Sequence, residues 1–213
     1  MKTKGFFLIA ILVSLSAISV AQKKLLTISD YESKPNTEKW WRDNSKVTFT
    51  YDENPANQMS AKSKACLHIK WDSIPKNQVS NTWFTDLKAD TFVSPGMETI
   101  WKEFKSSIWI SFYCRLGDGD TLMLHPMILS KGHTSKWGSK NMIPFTSKSW
   151  TFMKVKFSDL EYEDWGKIIM PLDLNSDAGK CFEIGLRLGT SSIKGYIDVW
   201  FDNVQLTNYE PFE

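Results

Sequence analysis

The side chains of this 213-residue chain that could do chemistry are mostly flat aromatics and planar polar groups. Ten tryptophans are many more than one core of this size requires. Sugar recognition needs such a set: apolar plates against pyranose faces, with Arg, Glu, Asp and Asn to orient hydroxyls. Trp137 stands out because its surroundings, Lys131-Gly-His-Thr-Ser-Lys-Trp-Gly-Ser-Lys140, hold nothing else apolar. Read as a Gly- and Lys-rich loop, this stretch exposes the indole as a ligand platform. Trp83, Trp101 and the Trp40-Trp41 pair read as lying in or beside loops, while Trp71 and Trp150 start or end strands and read as packing residues.

A second group comes from alternation. Ile108, Ile110, Phe112 and Cys114 share one face of a strand, leaving Trp109, Ser111, Tyr113 and Arg115 on the other. Phe182, Ile184, Leu186 and Leu188 likewise leave Glu183, Gly185 and Arg187. The stretch at 121–129 contributes Met123, His125 and Met127, and the last strand Asp198 and Trp200. If these strands are neighbours, one non-core face gathers Trp109, Tyr113, Arg115, His125, Glu183, Arg187, Asp198 and Trp200, a set suited to hydroxyls or a uronate. Two plainer readings stand beside this one. The charges are a salt-bridged ladder across strands, and Trp109 and Trp200 are covered by a loop folded over the face.

Catalysis has a narrower basis. Glu183 with Asp198 is a carboxylate pair of the kind a glycosidase uses. His125 with Tyr113 and Arg115 is a set for proton abstraction from a uronic acid. Neither has a diagnostic spacing. His68 reads as a strand histidine and His133 as a loop one, so there is no zinc-type triad. Asp173-Leu-Asn-Ser-Asp-Ala-Gly179 opens like a calcium loop, but has Ala178 at its sixth position and Ile184 at its twelfth, and reads as a surface turn.

The elements that must position these residues are short strands, with no convincing helix. Strands are expected over Leu25–Tyr31, Lys46–Tyr51, Ala65–Trp71, Thr82–Phe84, Ser107–Leu116, Thr121–Leu129, Trp150–Phe157, Cys181–Leu188 and Tyr196–Thr207. Gly117-Asp-Gly-Asp120 predicts a hairpin between the fifth and sixth of these. In the last, Ile197, Val199 and Phe201 share a face, whereas beyond Asp202-Asn203 the apolar positions are Val204 and Leu206. A slip of one in the alternation predicts a bulge there. Strands at this spacing predict an all-β, two-sheet antiparallel sandwich of jelly-roll type.

Residues 1–21 carry Lys2 and Lys4, no acid, an apolar run and a small-residue end at Ser19-Val20-Ala21, the pattern of a cleaved signal peptide. Residues 22–213 then form a single exported domain, periplasmic or extracellular, with no membrane insertion. Losing two lysines balances 24 basic against 24 acidic residues, leaving no electrostatic pull toward nucleic acid. Cys66, Cys114 and Cys181 lie in apolar runs and read as buried hydrophobes, or as one disulfide with a spare thiol.

Three segments resemble carbohydrate-binding modules with the galactose-binding-like jelly roll: Ser29-Asp-Tyr-Glu32, then Ser147-Lys-Ser-Trp150 through Val155-Lys-Phe-Ser-Asp-Leu160, then Cys181-Phe-Glu-Ile-Gly-Leu-Arg-Leu-Gly189 with the strand Tyr196–Leu206. The leader and general style also resemble exported Bacteroidetes proteins. The resemblance implies non-catalytic binding of poly- or oligosaccharide on a concave sheet face and adjoining loops. It also implies a structural Ca2+ joining the first and last strands, on Glu32 and Asp202 with Asp30 a weaker ligand. A glycoside hydrolase or polysaccharide lyase on the same face is the alternative function, and a protein-binding module a further one.

Overall fold

The computed structural model describes residues 22–34, 41–42, 47–72, 79–83, 109–118, 121–130, 136–139, 143–156, 159–164, 167–171, 181–189 and 197–213. Residues 1–21, read above as a signal peptide, Trp40, Trp101, His133 and the stretch 173–179, read as a turn, lie outside them. Fourteen strands and one 3-10 turn at Pro55–Asn57 make up the regular structure of the described residues. No helix among them is long and apolar enough to cross a membrane.

The strand Ile197–Thr207 (β14) is the spine of a six-stranded antiparallel sheet. Trp109–Leu116 (β6) pairs along one edge of it, and Thr151–Lys156 (β10) pairs with β6 beyond. The other edge is shared. Cys66–Trp71 (β4) takes Ile197–Phe201, followed outward by Val47–Asp52 (β3), and Leu25–Ser29 (β1) takes Val204–Thr207. The changeover between β4 and β1 coincides with the predicted bulge. Opposite β6, Asp202 pairs with Tyr113 and Gln205 with Ser111, so β14 takes three steps where β6 takes two. Asn203 supplies the left-handed φ of 50° that this needs, a conformation Asn tolerates better than most residues. Its N–H donates to Asp202 Oδ1 at 2.7 Å.

The second sheet has eight strands. Its order is Lys167–Pro171 (β12), Leu160–Asp164 (β11), Lys136–Ser139 (β8), Leu122–Ser130 (β7), Cys181–Gly189 (β13), Val79–Trp83 (β5) and Trp41–Arg42 (β2), with Ile143–Phe145 (β9) also on β7. The two sheets enclose one core. Leu67, Ile69, Trp71, Ile110, Phe112, Cys114, Val199 and Phe201 come from the first sheet, and Leu122, Leu124 and Phe145 from the second. Burying each Leu, Ile or Phe contributes about 1.5–3 kcal/mol. The jelly-roll sandwich expected from the sequence is the observed fold.

The hairpin expected at Gly117–Asp120 is not formed. Among the described residues β6 pairs with β10 and β14, whereas β7 pairs with β13, β8 and β9 in the other sheet. The turn signal falls where the chain passes from one sheet to the other. The first strand also stops at Ser29, short of the expected Tyr31. Tyr31, 2% exposed, has φ 55°, which no strand accommodates.

Candidate functional site

The residues expected to share one face are divided between two. Ile110, Phe112 and Cys114 line the core, so Trp109, Tyr113 and Arg115 lie on the outer face of the six-stranded sheet, together with Asp198 and Trp200 of β14. In β7, Leu122 and Leu124 line the core, which puts Met123 and His125 on the outer face of the eight-stranded sheet. Arg187 is paired with His125 and Glu183 with Leu129, so both occupy that same outer face. The two outer faces look away from each other across the sandwich. Alternation fixes which side of a strand is apolar but not which sheet it joins, which is why the expected single face fails.

Three consequences follow. Arg115, Glu183, Arg187 and Asp198 cannot form one charge ladder. Glu183 and Asp198, on opposite sides of the molecule, cannot flank one glycosidic bond. His125 is likewise separated from Tyr113 and Arg115, so the proton-abstracting set does not assemble.

On the six-stranded sheet Trp200 is buried, with 8% of its surface exposed. β4 and β6 flank β14, and each sends a side chain onto the indole. His68 stacks parallel at 4.1 Å between ring centroids, and the Arg115 guanidinium carbon lies 4.2 Å from the indole centroid. The indole N–H donates to Asp52 Oδ2 at 2.7 Å, and the Asn57 amide donates to the same oxygen at 2.8 Å. Arg115 Nη2 donates in turn to Asn57 Oδ1 at 2.5 Å. Trp200 is thus covered, as one of the plainer readings had it, but by His68 and Arg115 from the flanking strands rather than by a loop, with Asp52 at the end of β3 holding its N–H. Asp198 lies 2.5 Å from His68 Nε2 through Oδ1 and accepts from the Asp118 N–H at 3.1 Å through Oδ2. Burial works to raise its carboxyl, but the His68 and Asp118 hydrogen bonds and the charges of His68 and Lys70 outweigh burial and hold it below the usual range. Asp52 is held low in the same way, the bonds from Trp200, Asn54 and Asn57 overcoming its desolvation.

Trp109 and Tyr113 also have partners. Lys154 and Lys156 each place an ammonium 5.8 Å from the Trp109 ring centroid, and Tyr113 packs tilted against Phe152 at 5.2 Å. Trp71 is buried, as expected, and Trp150 lies under Arg115 at 5.7 Å.

Trp137 is not in a loop. It belongs to β8, paired with Ile128 on one side and Tyr162 on the other. Ile128 shares its face with Leu124, so the register position of Trp137 is on the inner face of the eight-stranded sheet. With one apolar residue in a four-residue strand, Lys-Trp-Gly-Ser, alternation had nothing to repeat.

Of the residues expected to hold a cation, Asp202 lies at the β14 bulge, with the charges of Glu32 and Asp30 acting on it. Asp202 is 2% exposed, and its Oδ2 is buried without a hydrogen-bond partner among the described residues. Burial, with the charges of Glu32 and Asp30 nearby, outweighs the Asn203 N–H and the Ser63 hydroxyl and pushes its carboxyl up to about 7. The left-handed Tyr31 lies between those two acids in sequence. An orphaned carboxylate oxygen beside two further acids fits an oxygen-seeking cation. No group of three or more His, Cys, Asp and Glu among the described residues is placed to hold a metal, so backbone carbonyls would have to complete the shell. Cys66 and Cys114 are buried and free, with burial pushing the Cys66 thiol up to about 12 and the Cys114 thiol higher.

No protein-family model and no curated relative matches the chain. Solved structures do. The family 11 carbohydrate-binding module of a cellulosomal cellulase from Clostridium thermocellum superposes with a TM-score of 0.53 at 15% identity, over 88% of this chain and 95% of the module. The same organism's module in complex with a β-1,3-1,4-mixed-linked tetrasaccharide gives 0.53 at 16%, over 86% and 94%. An exo-β-agarase gives 0.55 at 11% identity, over 89% of this chain and 26% of the enzyme. At these identities the likeness is one of fold.

Proposed function

We propose that this protein is an exported carbohydrate-binding domain that takes a poly- or oligosaccharide on the outer face of its eight-stranded sheet, without catalysis. The observation that carries the reading is the register that puts Arg187 and Glu183 of β13 on that face. A guanidinium at the Arg187 position supplies directional donors for hydroxyls and Glu183 on the same face an acceptor, while His125 opposite Arg187 is buried. The likeness to a module solved with a bound mixed-linked tetrasaccharide supports the same reading. The outer face of the other sheet serves it less well, because Trp200 is already stacked on both sides. Affinity electrophoresis in polysaccharide gels tests the proposal: retardation of the protein, lost in Arg187→Ala, is expected.

We also propose a structural Ca2+ at the β14 bulge, held by Asp202 and Glu32, with Asp30 contributing. The ion would neutralise the buried Asp202 carboxylate where the first and last strands join. The orphaned Oδ2 supports this, and calcium-dependent thermal stability that Asp202→Asn abolishes is the check.

A further inference from the structure

The registers of the eight-stranded sheet extend beyond Arg187 and His125 to two tryptophans not yet given a role. β2 pairs with β5 so that Trp41 is opposite Trp83. β5 pairs with β13 so that Asn81 is opposite Arg187. Trp83 is two residues from Asn81 and therefore shares its face, the outer one, as does its partner Trp41. The row that these tryptophans begin continues across the strands. It runs through Gly185 of β13, Met127 of β7, Gly138 of β8 and Glu161 of β11.

Two of those positions carry no side chain. Glycine inside a strand costs stability and commonly marks a place where another chain or a ligand approaches the backbone. Here the glycines fall on either side of Met127 in one row, next to the parallel row Asn81, Arg187 and the buried His125. By register, one row thus has two tryptophan positions at the sheet edge followed by two glycines, and the positions of Asn81 and Arg187 beside it bring planar hydrogen-bonding residue types. From β5 to β11 is four strand spacings, roughly 19 Å, enough for several linked pyranose rings.

We infer that Trp41 and Trp83 are the stacking end of a subsite row that takes an extended oligosaccharide lying across the strands, rather than a single terminal sugar. This rests on the carbohydrate-binding reading above. It assigns the aromatic platform to a cross-strand pair at the sheet edge, in place of Trp137 and Trp200.

The experiment uses native gels cast with mixed-linked β-glucan, xylan, agarose or hyaluronan, followed by titration calorimetry with size-graded fragments of the polysaccharide that retards the protein. Trp41→Ala and Trp83→Ala are expected to weaken binding at least about tenfold, while Trp41→Tyr and Trp83→Tyr keep most of it. A hexasaccharide is expected to bind at least about tenfold more tightly than a disaccharide. Wild-type affinity in the folded alanine variants, or equal affinity for the two fragments, would overturn this inference and leave carbohydrate binding standing. The fragment comparison holds even if an alanine variant does not fold. Wild-type protein that migrates freely in all four gels would overturn the carbohydrate-binding reading itself, and this inference with it.

Discussion

The His68 imidazole lies parallel to the Trp200 indole, 2° from coplanar and 4.1 Å away, and its Nε2 reaches Asp198, two residues before Trp200. One histidine on β4 thereby ties together two outer-face residues of β14. His68→Ala removes the stack and the bond to a mostly buried carboxylate, and is expected to cost about 1–3 kcal/mol. A double-mutant cycle with Asp198→Asn should return a coupling of about 1 kcal/mol. Additive losses would show that the contact carries no energy.

Gly117 packs against the same residues. A Cβ there would come within 2.1 Å of Asp198 Oδ2 and 2.7 Å of Trp200 Cζ3. Gly117→Ala must displace one of them and is expected to destabilise by about 1–3 kcal/mol, read as a lower midpoint in urea. An unchanged midpoint contradicts the packing described.

Stability should depend on pH in two opposed ways. Asp202 titrates at about 7 in the fold, above the unfolded value of about 3.9. Its contribution is therefore complete below about pH 4 and is lost as pH rises through about 7. Asp198 and Asp52 are depressed, so theirs is present above about pH 4 and lost as pH falls below it. In chelator, the melting temperature should peak between these limits. Asp202→Asn should remove the decline toward neutral pH. Calcium should restore wild type and leave the variant unmoved. A wild-type melting curve indifferent to both pH and calcium across this range contradicts the account.

Cys66 and Cys114 should be chemically silent. The thiolate is the reactive form, and burial keeps both protonated at neutral pH. Alkylation by iodoacetamide should reach them only after denaturation, which peptide mapping can follow. Prompt labelling of either in the native protein contradicts their placement.

Much of the fold was readable because strand alternation reports burial directly. The inner face of β6 and the slip in β14 at Asp202-Asn203 are both local patterns, and both appear in the structure. Which sheet a strand joins is a non-local choice, and it divided Glu183 and Arg187 from Asp198 and Trp200. That His68 and Arg115, rather than a loop, cover Trp200 was not legible either. Asp52 and Asn57 look like solvated residues until the Asp52 carboxylate is seen accepting from the indole and from the Asn57 amide. His68 could have been suspected of more, since Leu67, Ile69 and Trp71 take the core face and leave it on the other. The Trp41–Trp83 pairing needed the register, because a two-residue strand has no pattern of its own.

The most direct measurement compares wild type with Arg187→Ala by affinity electrophoresis in mixed-linked β-glucan, xylan, agarose and hyaluronan gels. The account predicts that at least one polysaccharide retards the wild type and that the variant, folded and equally stable, runs free in it. Unretarded wild type in every gel, or a variant retarded as strongly as wild type, would contradict glycan binding on this face.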